Sequence, residues 1–264
     1  MPDSEEKSIL KGVNDLIDSE LDLKDIGEAP HHRHKTSCDR LTKPPMTGIA
    51  LDLIAKIYEK VEDNWVSDYH MPSEENWRFE KNKRIDGDNG PEVRLERAIV
   101  NIPDEIWPDA KCWVNQVPVA SGLVDPHADG SRKIDLVHKC GDAYEFIELK
   151  IDSDTPLYAA MEVLKYGVLY IFCRQDGRVS PHIHIHEKEN LLQAKKIHLR
   201  VLAPAKYYEK YDLSGLETLE TSIKNGLAKF LAQPKFAFEL EMDFRFETLS
   251  LILSRSRVTR KASG

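Results

Sequence analysis

Lys133-Ile134-Asp135-Leu136-Val137, then a short polar turn, then Tyr144-Glu145-Phe146-Ile147-Glu148-Leu149-Lys150-Ile151 is the stretch that decides the fold. Both runs set isolated charges among β-branched, aromatic and aliphatic residues, as two strands of a hairpin do. Residues two apart on a strand point to the same face. Glu148 and Lys150 therefore converge, and a paired strand can bring Asp135 beside them. Two carboxylates make a hard-oxygen site for Mg²⁺. A lysine there can orient a water or stabilise charge developing on a phosphate. Three charges embedded among Ile134, Leu136, Val137, Phe146, Ile147, Leu149 and Ile151 are costly unless paired or metal-bound. That cost favours a functional cluster over an ordinary ion pair on a strand face.

Pro91 opens a helix at a position that tolerates proline, and the helix extends to about Val100. Residues 111–119, 131–139 and 143–151 read as three strands. Thr155-Pro156 is a good helix start, with threonine as cap and proline in the first turn. That helix runs to about Cys173 and is apolar over much of its length, which predicts deep burial. Residues 197–202 form a short β-rich run, 214–231 a helix, and 236–246 alternate as a half-buried strand should. Upstream, residues 4–20 read as an amphipathic helix through Ile9, Leu10, Val13, Leu16 and Ile17. Residues 21–45 are polar and irregular. A helix over 47–64 would bury Ile49, Leu51, Leu53, Ile54, Ile57, Tyr58 and Val61. Residues 66–90 read as a long loop or an ordered insertion. The order at the centre is helix, strand, strand, strand, helix, strand, an α/β core with extra helices before and after it.

With these residues on view, the chain resembles the PD-(D/E)XK nuclease superfamily, the restriction-endonuclease-like fold. Ile134-Asp135 stands where that family has Pro-Asp, Glu148-Leu149-Lys150 matches E-x-K, and the α-β-β-β-α-β order over residues 91–203 matches its core. The resemblance implies a mixed central sheet and metal-dependent phosphodiester hydrolysis, on DNA. It implies Asp135 and Glu148 as ligands of Mg²⁺ or Mn²⁺, with the Leu149 carbonyl as a further ligand. Lys150 would position the attacking water or help to deprotonate it. The family also uses a glutamate from the helix before the sheet. Glu92, with apolar residues at +3 and +7, is the favoured position, and Glu96, one turn on, is the alternative. Either would contribute to a second metal or hold a metal-bound water. On the helix after E-x-K the candidates are Glu162, Lys165 and Tyr166. Glu162 and Tyr166 share a face, whereas Lys165 is turned away by about 100°. Tyr166 is assigned a structural role.

Other constellations compete. His182, His184 and His186 alternate on one side of an extended run, as in a metal site or a histidine-strand hydrolase, but a polar strand face or loop is the plainer reading. His31-His32-Arg33-His34 with Cys38 reads as a solvated loop. Lys195, Lys196, Arg200 and Lys206 could line a nucleic-acid groove, though a solvated face is the commoner arrangement. Trp107, Trp113, Tyr207 and Tyr208 could stack on bases, but core packing is the simpler role for each. Asp125 and Asp129 sit in a loop just before Asp135.

A net charge of −8 and a pI of about 5.7 argue against a general nucleic-acid binder and leave room for a local basic groove. Cys38, Cys112, Cys140 and Cys173 form no C-x-x-C pair, which argues against a zinc ribbon and for reduced thiols. No apolar run is read as a membrane span and no secretory signal is recognised, so a cytoplasmic location without a membrane partner is the expectation. The chain divides into a helical N-terminal extension packed on the core (1–90), a nuclease-like domain (91–250) and a basic tail (251–264) with Arg255, Arg257, Arg260 and Lys261. A homodimer or a partner protein is compatible with this division. A non-catalytic interaction module built on the same fold is the alternative from a different class.

Overall fold

The computed structural model describes residues 8–41, 49–67, 73–81, 90–103, 105–106, 111–176 and 189–249. Trp107, the histidines 182, 184 and 186, and the basic tail lie outside the described residues, as do the side chains of residues 49–51. A five-stranded mixed sheet forms the centre: β1 (Trp113–Pro118), β2 (Lys133–Cys140), β3 (Ala143–Leu149), β4 (Lys196–Ala203) and β5 (Glu241–Thr248), in that spatial order. β1, β2 and β3 pair antiparallel in turn. The last two run parallel to β3, so a crossover must separate them from it. The crossover after β3 is helix α5 (Pro156–Gln175).

The β2–β3 turn is two residues long, with Cys140 paired to Ala143. Gly141, at φ 63°, leads it, and a left-handed first position is what glycine supplies without strain. β3 is buried at every position, as a central strand covered on both faces must be. On one face α5 packs with α3 (Ile49–Ser67) and α7 (Leu213–Leu231), while α1 (Val13–Glu20) lies against α3. This core runs without a break from Ile9 and Val13 through Phe146 and Leu169 to Phe244. On the other face α4 (Pro91–Val100) places Val100 with Trp113, Leu136, Ile147, Leu149 and Leu202. The α/β class and the helix-strand-strand-strand-helix-strand order are as the sequence predicts.

α5 departs from the sequence reading in one respect. It is twenty residues long and apolar enough by composition to span a bilayer. Sixteen of those residues are buried inside the fold, so its apolarity serves the protein core. The backbone approaches β4 closely at Gly167, where a Cβ would lie 2.7 Å from Leu199 Cδ1.

Three local readings change. The N-terminal helix begins at Val13, because Gly12 at φ 70° interrupts the backbone where the apolar periodicity continues. Residues 31–33 form a 3₁₀ turn and α2 (Lys35–Leu41) follows it, in a segment read as irregular. The last strand begins at Glu241. The alternation from Phe236 misleads because Phe236 and Phe238 are not in a strand. Phe236 packs its ring against Tyr58 and Phe230, at 5.8 and 5.0 Å between centroids. A short helix α6 (Ala205–Tyr208) buries Tyr207 and Tyr208 beneath Leu216.

Thr155 caps α5, its Oγ1 accepting the Tyr158 N–H at 3.1 Å. Losing such a cap costs about 1 kcal/mol. Thr155→Ala is expected to lower the unfolding free energy by that amount, read as a lower urea midpoint with an unchanged m-value, and an unchanged midpoint would refute the capping role.

Candidate active site

Two ladders break at Asp135. β2 and β3 pair from Cys140–Ala143 up to Leu136–Ile147 and no further. The Leu149 N–H donates instead to Asp135 Oδ2 at 2.9 Å, so a side chain takes the place of a strand carbonyl. On the other side, β1 and β2 pair at Asn115–Leu136 and at Val117–Ile134. Gln116, facing Asp135 between those pairs, has φ 50°. A left-handed glutamine costs roughly 1–2 kcal/mol, the kind of local strain that clusters at functional sites. The strict alternation of β2 is lost here. Ile134 and Val137 both enter the α5-side core, while Leu136 enters the core under α4.

Glu148 lies two residues beyond Phe146, whose ring is in the α5-side core, and it shares that face. Lys150 follows on the same face. Its N–H donates to Leu202 O at 2.9 Å, so β4 still anchors the backbone there. Lys150 Nζ donates to Glu148 Oε1 at 2.7 Å and lies 3.8 Å from Glu162 Oε2 of α5. Glu148 and Lys150 are both almost fully buried.

These groups are strongly perturbed. Burial first, and repulsion from Glu96 and Glu162, push the Asp135 carboxyl up to about 7 against the pull of the Leu149 N–H and Lys150. Burial, then Asp135 and Glu162, drive Glu148 well above the carboxylate range. Glu162 goes the other way. Burial raises it, but Lys165, Lys150 and a hydrogen bond with Glu148 outweigh that, so it titrates low. The two carboxyls thus shift in opposite directions, Glu148 up and Glu162 down, as neighbours that cannot both ionise freely do. Burial disfavours the Lys150 ammonium, yet Glu148, Glu162 and Asp135 outweigh it and hold the amine charged beyond its ordinary range.

Both candidate helix acids reach this region. Glu96 is buried and takes Asn115 Nδ2 at 2.7 Å and Gln116 Nε2 at 2.8 Å. It thus underpins the residue that faces Asp135. Burial raises its carboxyl despite the two amides. Glu92 Oε1 accepts the Ile151 N–H at 3.0 Å and the Ser153 hydroxyl at 2.5 Å, pinning the loop that leaves Lys150. Asp135, Glu148 and Lys150 therefore meet in one pocket, Glu96 acts from beneath it, and Glu92 acts on the loop beside it.

Glu162 enters the pocket more fully than the sequence suggests. The signal was its shared face with Tyr166, whose phenol is pushed up by burial and by Glu162 and Glu148. Lys165 turns away as expected and donates to Asn14 Oδ1 at 2.8 Å. Arg132 acts electrostatically on both Glu162 and Tyr166. No motif marks it in the sequence.

The remaining candidates fall elsewhere. His32 is fully buried and bonded to Asp18, which corrects the solvated-loop reading of residues 31–34. Asp125 Oδ1 accepts the His127 N–H within its own turn, and Asp129 Oδ1 accepts Asn76 Nδ2. Lys195 and Lys196 pair with Glu239 and Asp142. Arg200 is buried against Asp243 and Glu247. These basic residues are matched to acids in place. Trp113 stacks on His138 within the fold at 4.1 Å, and Tyr207 and Tyr208 are buried, so packing is the role of all three.

Among the described residues, no group of three or more His, Cys, Asp and Glu side chains has the geometry to hold a metal ion. Mg²⁺ asks for less, because one or two protein carboxylates suffice when waters and phosphates complete its shell. Asp135 and Glu148 supply two such carboxylates, close enough for each to be felt electrostatically by the other's neighbours and by Lys150. Burial is the largest cause of the raised Asp135 and Glu148 carboxyls, and repulsion from neighbouring acids adds to it; a divalent cation would offset that repulsion. Compared with family models, with curated proteins and with solved structures, the chain shows no match. The functional argument accordingly rests on its own residues.

An Asp135 carboxyl at about 7, against an ordinary 3.8, binds a proton in the folded state that the unfolded state has released between those values. Its contribution to stability is present below pH 4 and is lost as the pH rises to 7. Asp135→Asn removes that loss while keeping an acceptor for the Leu149 N–H. In cation-free buffer the variant should match the wild type near pH 4. It should gain roughly 2–4 kcal/mol over it by pH 8. Denaturant titrations at the two pH values read this difference, and a constant difference across them would refute it.

Proposed function

We propose that the chain is a metal-dependent nuclease of the PD-(D/E)XK type, with the restriction-endonuclease-like fold, hydrolysing phosphodiester bonds in DNA in the cytoplasm. The convergence of Asp135, Glu148 and Lys150 in one buried pocket carries this reading. The order α4-β1-β2-β3-α5-β4 around that pocket supports it.

Asp135, aligned by the Leu149 N–H, and Glu148 would hold Mg²⁺ or Mn²⁺ together with the Leu149 carbonyl. Such an ion, when bound, supplies Lewis-acid stabilisation of the phosphoryl oxygens and lowers the pKa of a bound water. The chain's own residues supply the rest. Lys150, kept charged by the acids around it, is a proton donor. It therefore serves to position the attacking water or to stabilise charge on a phosphate oxygen, and the role of base does not suit it. Glu148 fixes the ammonium by its 2.7 Å bond. Glu162, which titrates low, keeps its negative charge beside the Lys150 ammonium. Glu92 and Glu96 act through the loop and through Gln116, and either can hold a water at the edge of the site.

The test uses linear and circular duplex DNA, single-stranded DNA and RNA, each with Mg²⁺, Mn²⁺ or EDTA. Cleavage is expected with either metal and not with EDTA. Asp135→Ala and Lys150→Ala should each lower it by about 100-fold or more. No wild-type cleavage of any substrate would overturn the reading in favour of a non-catalytic interaction module, a class that the net charge of −8 suits. Activity that survives both variants but is lost in His184→Ala would instead indicate a histidine-strand hydrolase.

A further inference from the structure

The His31-His32-Arg33-His34 turn is built, and it ends at the mouth of the acidic pocket. Asp18, buried on α1, accepts the His31 N–H at 2.6 Å, the His32 N–H at 2.7 Å and His32 Nδ1 at 2.6 Å. The His32 ring stacks on Tyr158 at 5.4 Å and 20°. Ser37 Oγ donates to His31 O at 2.6 Å. The Arg33 guanidinium lies 5.2 Å from the centre of the Tyr158 ring. Tyr158 is one turn before Glu162 on the same face of α5, a rise of about 5.4 Å.

The partner of Arg33 is also informative. Its Nε bonds Asp154, four residues after Lys150 in the loop pinned by Glu92. Lys210 bonds Asp152 of the same loop. Arg33 and Lys210 are about half exposed, so both face solvent beside the pocket. Two cations from distant parts of the chain thus meet two carboxylates on one short loop next to E-x-K. A carboxylate and a phosphate offer guanidinium and ammonium groups the same charge and the same acceptor oxygens.

We propose that Arg33 and Lys210 grip the backbone phosphates of a nucleic-acid strand at the mouth of the pocket, and that Asp154 and Asp152 occupy those cations until the strand arrives. This rests on the nuclease reading and gives the acidic chain a local phosphate grip. On this view the N-terminal segment supplies part of the substrate site, with Asp18 as the positioning residue for Arg33. The proximity is felt electrostatically, since Glu162 and Asp154 both hold Arg33 above its ordinary range.

The test is binding of short fluorescein-labelled duplex and single-stranded DNA by the full chain in EDTA, followed by anisotropy over a range of salt. Arg33→Ala and Lys210→Ala should each weaken binding by about three- to tenfold and reduce the salt slope by about one. Asp154→Asn should tighten binding at low salt by a similar factor. A fold damaged by mutation cannot produce that opposite sign. Unchanged affinity and salt slope in Arg33→Ala and Lys210→Ala would overturn the proposal, while cleavage lost in Asp135→Ala would leave the nuclease reading standing. Weaker binding in Asp154→Asn would overturn the exchange of carboxylate for phosphate. A wild type that binds neither probe would overturn the whole proposal, and the cleavage assay would decide the nuclease reading separately.

Discussion

The Leu149 N–H donates to a side chain where a strand carbonyl should be, and the rest of the site depends on that substitution. Continued pairing of β2 with β3 would place Asp135 opposite Glu148 in an ordinary ladder. The break frees the strands to diverge, and the Asp135 carboxylate closes the gap. It is then held by a backbone donor of the segment that carries Glu148 and Lys150. Gln116 in its left-handed conformation and Glu96 beneath it make the same break on the β1 side. Parallel pairing with β4 continues to Leu149, and the Lys150 N–H reaches Leu202 O, so the E-x-K segment stays rigid while its other edge opens.

This arrangement is expensive. Three acids crowd one lysine in a buried space, and the lysine cannot neutralise them all. The protein answers in part by raising the Glu148 carboxyl and by placing Lys165 and Arg132 near Glu162. Fully buried ion pairs seldom stabilise a fold more than apolar residues of the same size would. The surrounding core therefore has to supply what the site loses. α5 does so: its sixteen buried residues hold Glu162 in place against a continuous apolar layer. The same helix carries Tyr158 and Tyr166, so the most apolar element also sets the polar geometry.

The strands and their chain order were legible because the apolar runs at 133–137 and 144–151 and the Thr155-Pro156 helix start are local signals with clear physical causes. The convergence of Asp135, Glu148 and Lys150 followed from the two-residue period of strands once the hairpin was recognised. What was not legible depends on long-range contact. Residues 31–34 looked like a polar loop because their anchor, Asp18, lies on another element and itself looks like a surface acid on an amphipathic helix. Phe236 and Phe238 mimic a strand because alternation of aromatics does not distinguish strand pairing from a ring cluster. The roles of Glu92 and Glu96 could not be separated by spacing, since one turn of helix leaves both near the sheet. Their partners separate them, one facing the loop after Lys150 and the other the amides of β1.

That separation suggests how the two helix acids divide the work. Glu96 is shielded, bonded to two amides and raised by burial, so its influence on Asp135 is electrostatic and steady. Glu92 holds Ile151 and Ser153, the first residues of a loop whose far end is held by Arg33 through Asp154. A strand that drew Arg33 away would release one end of that loop while Glu92 kept the other. Lys150, fixed to Glu148 and to the Leu202 carbonyl, would not move with it. The geometry thus separates a rigid chemical centre from an adjustable rim. For a nuclease of the proposed kind that division is useful, because charges that would favour a metal at the centre would repel a phosphate chain at the edge.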